Sequence, residues 1–312
     1  MRTLIFIIST LLSGTLFAQD IHFSQNLISR VSINPSLIGH FSDNDYRISL
    51  HRRSQWESVS KPFTTFLMSV EAKKVYKKIN LGLEFYNDKS GDANLTKNQI
   101  NVALSSNLNL YRDNNIMLGA SFGFGQKTIN NDMLIFEQNE TLINNSFLFS
   151  DISISASFKR NFLDKYSFII SNSYQHLNRP RNSFNNQENR LSIKNNTYSS
   201  ISRFINERHA VHLELLHTKQ TQNHETLFGI KQEFTIKNIK LYQLSYYRMN
   251  DAFIVGLGVK KNNIQAKISY DINVSDLKVA SENRGGFEFS IVYFFNKKQK
   301  IQLEEKTCPK YI

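Results

Sequence analysis

The feature that most limits how this chain can fold is a two-residue alternation of apolar and polar side chains, recurring from residue 46 to residue 295. Across 115–124 it sets Ile116, Leu118, Ala120, Phe122 and Phe124 on one face and Asn115, Met117, Gly119, Ser121 and Gly123 on the other. Across 151–158, Ile152, Ile154, Ala156 and Phe158 oppose Asp151, Ser153, Ser155 and Ser157. Segments 79–85 and 264–272 repeat the pattern, with Ile79, Leu81, Leu83 and Phe85 against Asn80, Gly82 and Glu84, and Ile264, Ala266, Ile268, Tyr270 and Ile272 against Gln265, Lys267, Ser269 and Asp271. Successive strand side chains point to opposite faces, so a period of two marks strands with one apolar and one wet face. Fourteen such strands are predicted: 46–56, 63–72, 79–87, 98–109, 115–126, 151–160, 165–175, 195–204, 208–218, 224–236, 239–248, 252–260, 263–272 and 285–295. They are close to the length of about 9–11 residues that a tilted strand needs to cross a bilayer. Strands of soluble sheets are shorter, commonly about 5–6 residues.

The predicted connections alternate in length. Those at 73–78, 110–114, 161–164, 205–207, 237–238 and 261–262 are short, whereas 88–97, 127–150, 176–194 and 273–284 are long. Short turns on one side and longer loops on the other, with an even strand number, are the plan of an outer-membrane barrel. The expected fold is therefore all-β, a transmembrane antiparallel barrel of about 14 strands, with N- and C-terminal segments in the periplasm. The last strand, Gly286 to Phe295, is long, aromatic and alternating. As an open edge it would invite aggregation, and barrel closure removes the edge.

Composition fits this plan and excludes others. The 24 Phe and 13 Tyr exclude a disordered chain. The single cysteine, Cys308, excludes a disulfide scaffold and a multi-thiolate metal site. Asn is abundant, and the polar interior of a barrel keeps Asn and Ser wet. The mean hydropathy of −0.38 is then no obstacle, because half of each strand faces water. The net charge of +12 is scattered along the chain, with Lys73-Lys74-Val75-Tyr76-Lys77-Lys78 its densest group. No basic face or stripe of the kind nucleic acid requires is apparent, so the surplus reads as solvated surface and no nucleic-acid partner is expected.

Residues 1–18 combine a cationic start, an apolar stretch from Leu4 to Leu12 and Ala18 before a polar break. This fits a secretory signal peptide cut after Ala18, and the stretch is too short to anchor the chain. The expected division is 1–18 signal peptide, 19–45 periplasmic N-terminal segment or plug, 46–295 barrel and 296–312 periplasmic tail.

Catalytic constellations are weak. His209, His212, Glu214, His217 and His224 lie close in sequence, but on a strand His209 and Glu214 face opposite sides, and His209 and His217 share a face far apart. They do not converge on one metal. Gly-x-Ser-x-Gly is absent. Gly123-Phe124-Gly125 lacks the third glycine and following helix of a nucleotide loop, and reads as close packing in a strand. Neither an enzyme nor a cofactor or metal is expected.

Several local motifs remain. They are Gln19-Asp20-Ile21-His22-Phe23-Ser24-Gln25, then Asn34-Pro35-Ser36 with Gly39, and Arg53-Ser54-Gln55-Trp56 followed by Pro62-Phe63. Further along stand Asp88-Lys89-Ser90-Gly91-Asp92, Gly125-Gln126 to Phe136-Glu137-Gln138, and His176-Leu177-Asn178-Arg179-Pro180. The last are Ser269-Tyr270-Asp271, Gly285-Gly286 with Glu288 and Ser290, and Cys308-Pro309-Lys310-Tyr311. Together they resemble the PorP/SprF family of outer-membrane proteins in the type IX secretion and gliding motility machinery of Bacteroidetes. Phe287 departs from the family's usual His before the Glu, and Ile312 adds a residue at the end.

The resemblance implies an integral outer-membrane, non-enzymatic barrel. It would anchor, or assist export of, a large type IX secreted adhesin carrying a C-terminal sorting domain, and link it to periplasmic or outer-membrane components of the machinery. The alternative is a solute-selective outer-membrane channel. Candidate partner-binding residues are Arg53, Gln55, Trp56, Pro62, Phe63, Cys308, Pro309 and Tyr311. For Trp56, a place in the aromatic girdle competes with a loop contact to the adhesin.

Overall fold

A computed structural model of the chain describes residues 22–41, 44–55, 62–91, 94–110, 113–130, 145–184, 189–275 and 284–297. Fourteen antiparallel strands close into one barrel. They are β1 (Tyr46–Gln55), β2 (Phe63–Tyr76), β3 (Ile79–Ser90), β4 (Leu95–Asn109), β5 (Asn114–Thr128), β6 (Ser146–Phe162) and β7 (Tyr166–Gln175). β8 (Lys194–Asn206), β9 (His209–Gln220), β10 (Asn223–Ile236), β11 (Ile239–Arg248), β12 (Ala252–Lys261), β13 (Ile264–Asn273) and β14 (Arg284–Phe295) complete the ring. Each strand pairs with its sequence neighbours, and β1 seals against β14 from Tyr46↔Phe295 to Gln55↔Gly286. Every predicted strand is present.

One end of the barrel, here the turn end, carries only tight connections, among them 77–78, 207–208, 237–238 and 262–263. Lys77 (φ 48°), Lys237 (φ 52°) and Asn262 (φ 52°) take the left-handed backbone that two-residue hairpins require. The opposite, loop end differs from expectation. The predicted long connection 88–97 is only 91–94, because β3 and β4 continue through Asp88↔Lys97 and Lys89↔Thr96. Those polar pairs complete the ladder without any hydropathy signal. The links 221–222 and 249–251 are tight as well, so length parity is strict at the turn end only.

Outward positions form a continuous apolar belt. Leu83, Phe85, Ile100, Val102, Leu104, Phe122 and Phe124 are all exposed. An exposed patch of this extent belongs against lipid rather than water. Ring pairs mark the belt's rim at the turn end: Tyr46–Phe295 (4.7 Å), Phe162–Tyr166 (5.3 Å) and His209–Phe234 (4.4 Å). Aromatic side chains suit that level because their rings are apolar and their edges polar.

The apolar core lies inside the lumen, and residues 22–41 supply much of it. This stretch holds a one-turn helix α1 (Arg30–Ile33) and a 3₁₀ turn at Pro35–Leu37. Its Phe23 and Ile28 pack with Leu67, Tyr86, Val292 and Phe294 of the wall. Leu37 joins Met117, Tyr198, Leu216, Leu227 and Ile254, while Val31 and Ile38 meet Ala103. Each such side chain contributes about 1.5–3 kcal/mol of transfer free energy. Two wall glycines make room: a Cβ at Gly82 would lie 2.8 Å from Val31, and one at Gly119 would overlap the backbone of Pro35 and Ser36. Gly123 and Gly125 likewise sit against the Asn101 and Gln99 side chains and the Phe149 ring, as close packing predicts.

Candidate functional site

A segment with so little regular structure must find partners for its backbone elsewhere, since buried N–H and C=O groups are costly to leave unpaired. The inward-facing residues of the wall provide them. Hydrogen bonds tie 22–41 to ten of the fourteen strands. The lumen is therefore plugged, and the plug is held at four places.

The first is a buried charge cluster. Glu288 of β14 accepts from the backbone N–H groups of Ser24 (2.6 Å) and Gln25 (2.9 Å). Asp271 of β13 accepts from Ser24 Oγ (2.7 Å). Arg53 of β1 bridges the two carboxylates, donating to Glu288 and to Asp271 (2.9 Å), and also to Ser24 Oγ (2.9 Å). Arg248 of β11 donates to Asp271 (3.1 Å) and Ser24 Oγ (2.8 Å), and lies 3.5 Å from Glu225. Arg53 is 1% exposed and Arg248 2%, so each charge depends on its partners for solvation. Gln25 extends the cluster, accepting from Ser290 Oγ (2.6 Å).

The second anchor is Glu84 of β3, which accepts from Ser29 Oγ (2.8 Å) and from Ser32. The third is Glu71 of β2, paired with Arg47 and with Arg30 of the plug (3.4 Å), and accepting the Gly39 N–H (3.0 Å). The fourth is a row of hydroxyl groups. Ser155 accepts the Ser36 N–H (2.7 Å), and Ser173 donates to the Ile33 carbonyl (2.6 Å).

A cavity remains on each side of the plug. The loop-end cavity, about 110 Å³, is walled by Lys97, Lys194, Asp151, His176 and Glu225 with His22 and Phe23 of the plug. Asp151 holds His176 at 2.8 Å. The turn-end cavity, about 240 Å³, lies between the plug and β9 to β14.

The predicted partner-binding residues are dispersed. Arg53 points inward and serves the buried cluster, so it is not presented to the exterior. Gln55 ends β1 half-buried, opposite Phe63 and Gly286, while Phe63 is half-buried and Pro62 exposed at the loop end. Trp56, Cys308, Pro309 and Tyr311 lie outside the described residues, as does the expected signal peptide. In β9, His209 and His217 face outward and Glu214 inward, as the alternation predicts. His212, also inward, lies 3.2 Å from Glu233. Among the described residues no three His, Cys, Asp or Glu side chains are grouped to hold a metal ion.

Motifs quoted separately from the sequence meet at the plug. Ser24, Gln25, Arg53, Asp271, Glu288 and Ser290 come from four distant stretches and form one hydrogen-bonded unit. Arg248, which completes it, carried no sequence motif. Its only signal was a charge at an inward position of a strand.

Comparison with known proteins agrees with the barrel. The family described as "Type IX secretion system membrane protein PorP/SprF" matches residues 15–293. No curated protein matches the chain. Among solved structures, the chain is similar to the Pseudomonas putida toluene transporter TodX, with TM-score 0.54, 8% identity, and 87% of this chain and 94% of that one covered. It is also similar to the CymD monoaromatic hydrocarbon channel, with TM-score 0.53, 8% identity, and the same coverage of 87% and 94%. A Pseudomonas aeruginosa FadL homologue aligns with TM-score 0.49 at 10% identity, over 91% of this chain and 96% of that one.

Proposed function

Because the chain belongs to the PorP/SprF family of type IX secretion system membrane proteins, we propose that this outer-membrane barrel is a non-enzymatic anchor or export partner for one large cell-surface adhesin. The adhesin's C-terminal sorting domain docks on the loop end, and the barrel links it to the secretion and gliding machinery. In this reading residues 1–18 are a signal peptide, and the turn end faces the periplasm. β1 begins and β14 ends on that side, where the Asp45 N–H donates to Asn296 (3.1 Å) and the Lys297 N–H to Asp45 (2.9 Å). In the same reading the tail 296–312 meets periplasmic components of the machinery.

The observation that carries the reading is the filled lumen. A plug bonded to ten strands leaves a loop-end cavity of about 110 Å³, too small for a folded domain. An adhesin domain is therefore held at the rim, with Pro62 and Phe63 among the loop-end residues available to it. The same plug weighs against the alternative of a solute-selective channel.

The test is the surface and secreted proteome of a deletion strain. Loss of one large adhesin with other cargo unchanged is the expected result. Loss of all type IX cargo would make the barrel a core component instead, and an unchanged proteome would return the channel to first place. Removing residues 296–312 should leave the barrel inserted and abolish co-purification of the periplasmic partner. Retained co-purification would assign that contact elsewhere.

A further inference from the structure

The loop-end cavity holds two lysines and two carboxylates, equal in number but not in place. Asp151 is taken by His176, whose ring it meets at 2.8 Å and whose backbone N–H donates to it (3.1 Å). Glu225 lies 3.5 Å from Arg248 and 3.6 Å from His22. Lys97 stands against the rings of Tyr86 (5.3 Å) and Phe149 (5.4 Å). Lys194 of β8 is left over. It is 9% exposed, lines the cavity, and has neither carboxylate within ion-pair distance. A buried ammonium without a counter-charge is costly, so its position favours a negative group from outside the chain.

Three further polar groups of the cavity lining are uncommitted. The Nε2 atom of His22 is buried and makes no hydrogen bond among the described residues. Its Nδ1 faces Glu225 and therefore carries the ring proton. Burial, with the Arg248 and Arg53 charges behind it, lowers the His22 pKa well below its ordinary value, so the ring is neutral and Nε2 presents a lone pair. Ser121 of β5 and Ser153 of β6 stand opposite each other in the ladder, and neither hydroxyl has a hydrogen-bond partner among the described residues. One cation, one bare acceptor and two hydroxyl groups thus line a space of about 110 Å³.

We propose that the loop-end cavity is a binding site for a small hydroxylated carboxylate. The carboxylate sits on the Lys194 ammonium, and a hydroxyl on the neighbouring carbon donates to His22 Nε2. Ser121 and Ser153 offer hydroxyl groups to the remaining ligand oxygens. The volume, about four waters' share, suits a solute the size of glycolate and leaves no room for a residue flanked by its own chain. A free solute is therefore favoured over an acidic peptide. A bare inorganic anion lacks the hydroxyl that Nε2 requires. The plug beneath fills the lumen, so the solute is held there rather than passed. The inference goes beyond the anchoring role and rests on the cavity alone, whatever protein docks at the rim.

The test uses the full-length barrel in detergent, with saturation-transfer NMR reporting bound ligand. Glycolate should bind saturably. Acetate, which lacks the hydroxyl, should bind about fivefold more weakly, and ethylene glycol, which lacks the charge, should show no saturable binding. Lys194→Gln should weaken glycolate binding by about tenfold or more, whereas Lys194→Arg, which keeps the charge, should retain most of it. His22→Phe should bring glycolate down to the level of acetate and leave acetate unchanged, a separation that a merely structural histidine would not produce. Lys267→Gln in the turn-end cavity should change neither. The proposal is overturned by absence of saturable glycolate binding, by undiminished binding in Lys194→Gln, by a full preference for glycolate in His22→Phe, or by loss of binding in Lys267→Gln. Competition by a tetraglutamate peptide as effective as that of glycolate would also overturn it, as the mark of a peptide site.

Discussion

The two ends of the lumen share one wall and one plug, yet they handle charge in opposite ways. Toward the loop end, cations and carboxylates are matched. Arg53 and Arg248 interlock with Asp271 and Glu288, and Lys97 and Lys194 share their cavity with Asp151 and Glu225. Toward the turn end, the cavity lining holds six cations and two carboxylates, and Glu71 of β2 serves two of the cations, Arg30 and Arg47. A matched, dry cluster costs little only when every member is present, and it gives the plug a single seat. The chain's net charge of +12, which reads as scattered along the sequence, is thus partly gathered at one mouth of the barrel.

The sharpest way to break this contrast is to unmatch the loop-end cluster. Arg53→Ala would leave buried Glu288 without its guanidinium and Asp271 with Arg248 alone, at a cost of about 3–5 kcal/mol. Thermal unfolding should show the loss, and planar-bilayer conductance should rise as the plug loosens. An unchanged conductance would mean that the plug does not depend on the charge cluster for its seat.

A smaller effect is expected from Gly119→Val, whose side chain would collide with Pro35 and Ser36. The cost should be about 1–3 kcal/mol, typical of overpacking, with protease sensitivity appearing in 22–41 while the strands stay protected. Smallest is Lys240→Gln. With its directly opposed Lys260 left in place, the change should stabilise the barrel by about 0.2–1 kcal/mol at low salt, and the gain should fade as salt rises. If it destabilised the barrel, the turn-end surplus would be satisfied internally and the contrast between the two ends would disappear.

The wall was legible in the sequence because lipid on one side and water on the other force a period of two. Ile116 to Phe124 and Ile152 to Phe158 reveal their outward face by parity alone. The strand ends were less legible: Asp88, Lys89, Thr96 and Lys97 extend β3 and β4 beyond the apolar belt, where both faces are polar and the alternation vanishes. The plug left no periodic trace at all, as its longest helix has four residues. Its contacts are long-range, and Ser24 meets Glu288 across 264 positions. Arg53 stands out in the sequence as part of a local motif and reads there as a candidate partner-binding residue. Its inward parity on β1, shared with Arg47, Ser49 and His51, was the sign that it belonged to the interior.

The pairing of Ser24 and Gln25 with Glu288 also bears on the order of assembly. The acceptor for this first stretch of the plug lies on β14, the final strand to be made. Arg53, on the first strand, stays without its carboxylates until β13 and β14 arrive. The barrel therefore cannot finish seating its contents before it finishes its seam. A chain whose last strand pairs out of register would part the buried Arg53 guanidinium from Glu288, so correct closure is proofread from within.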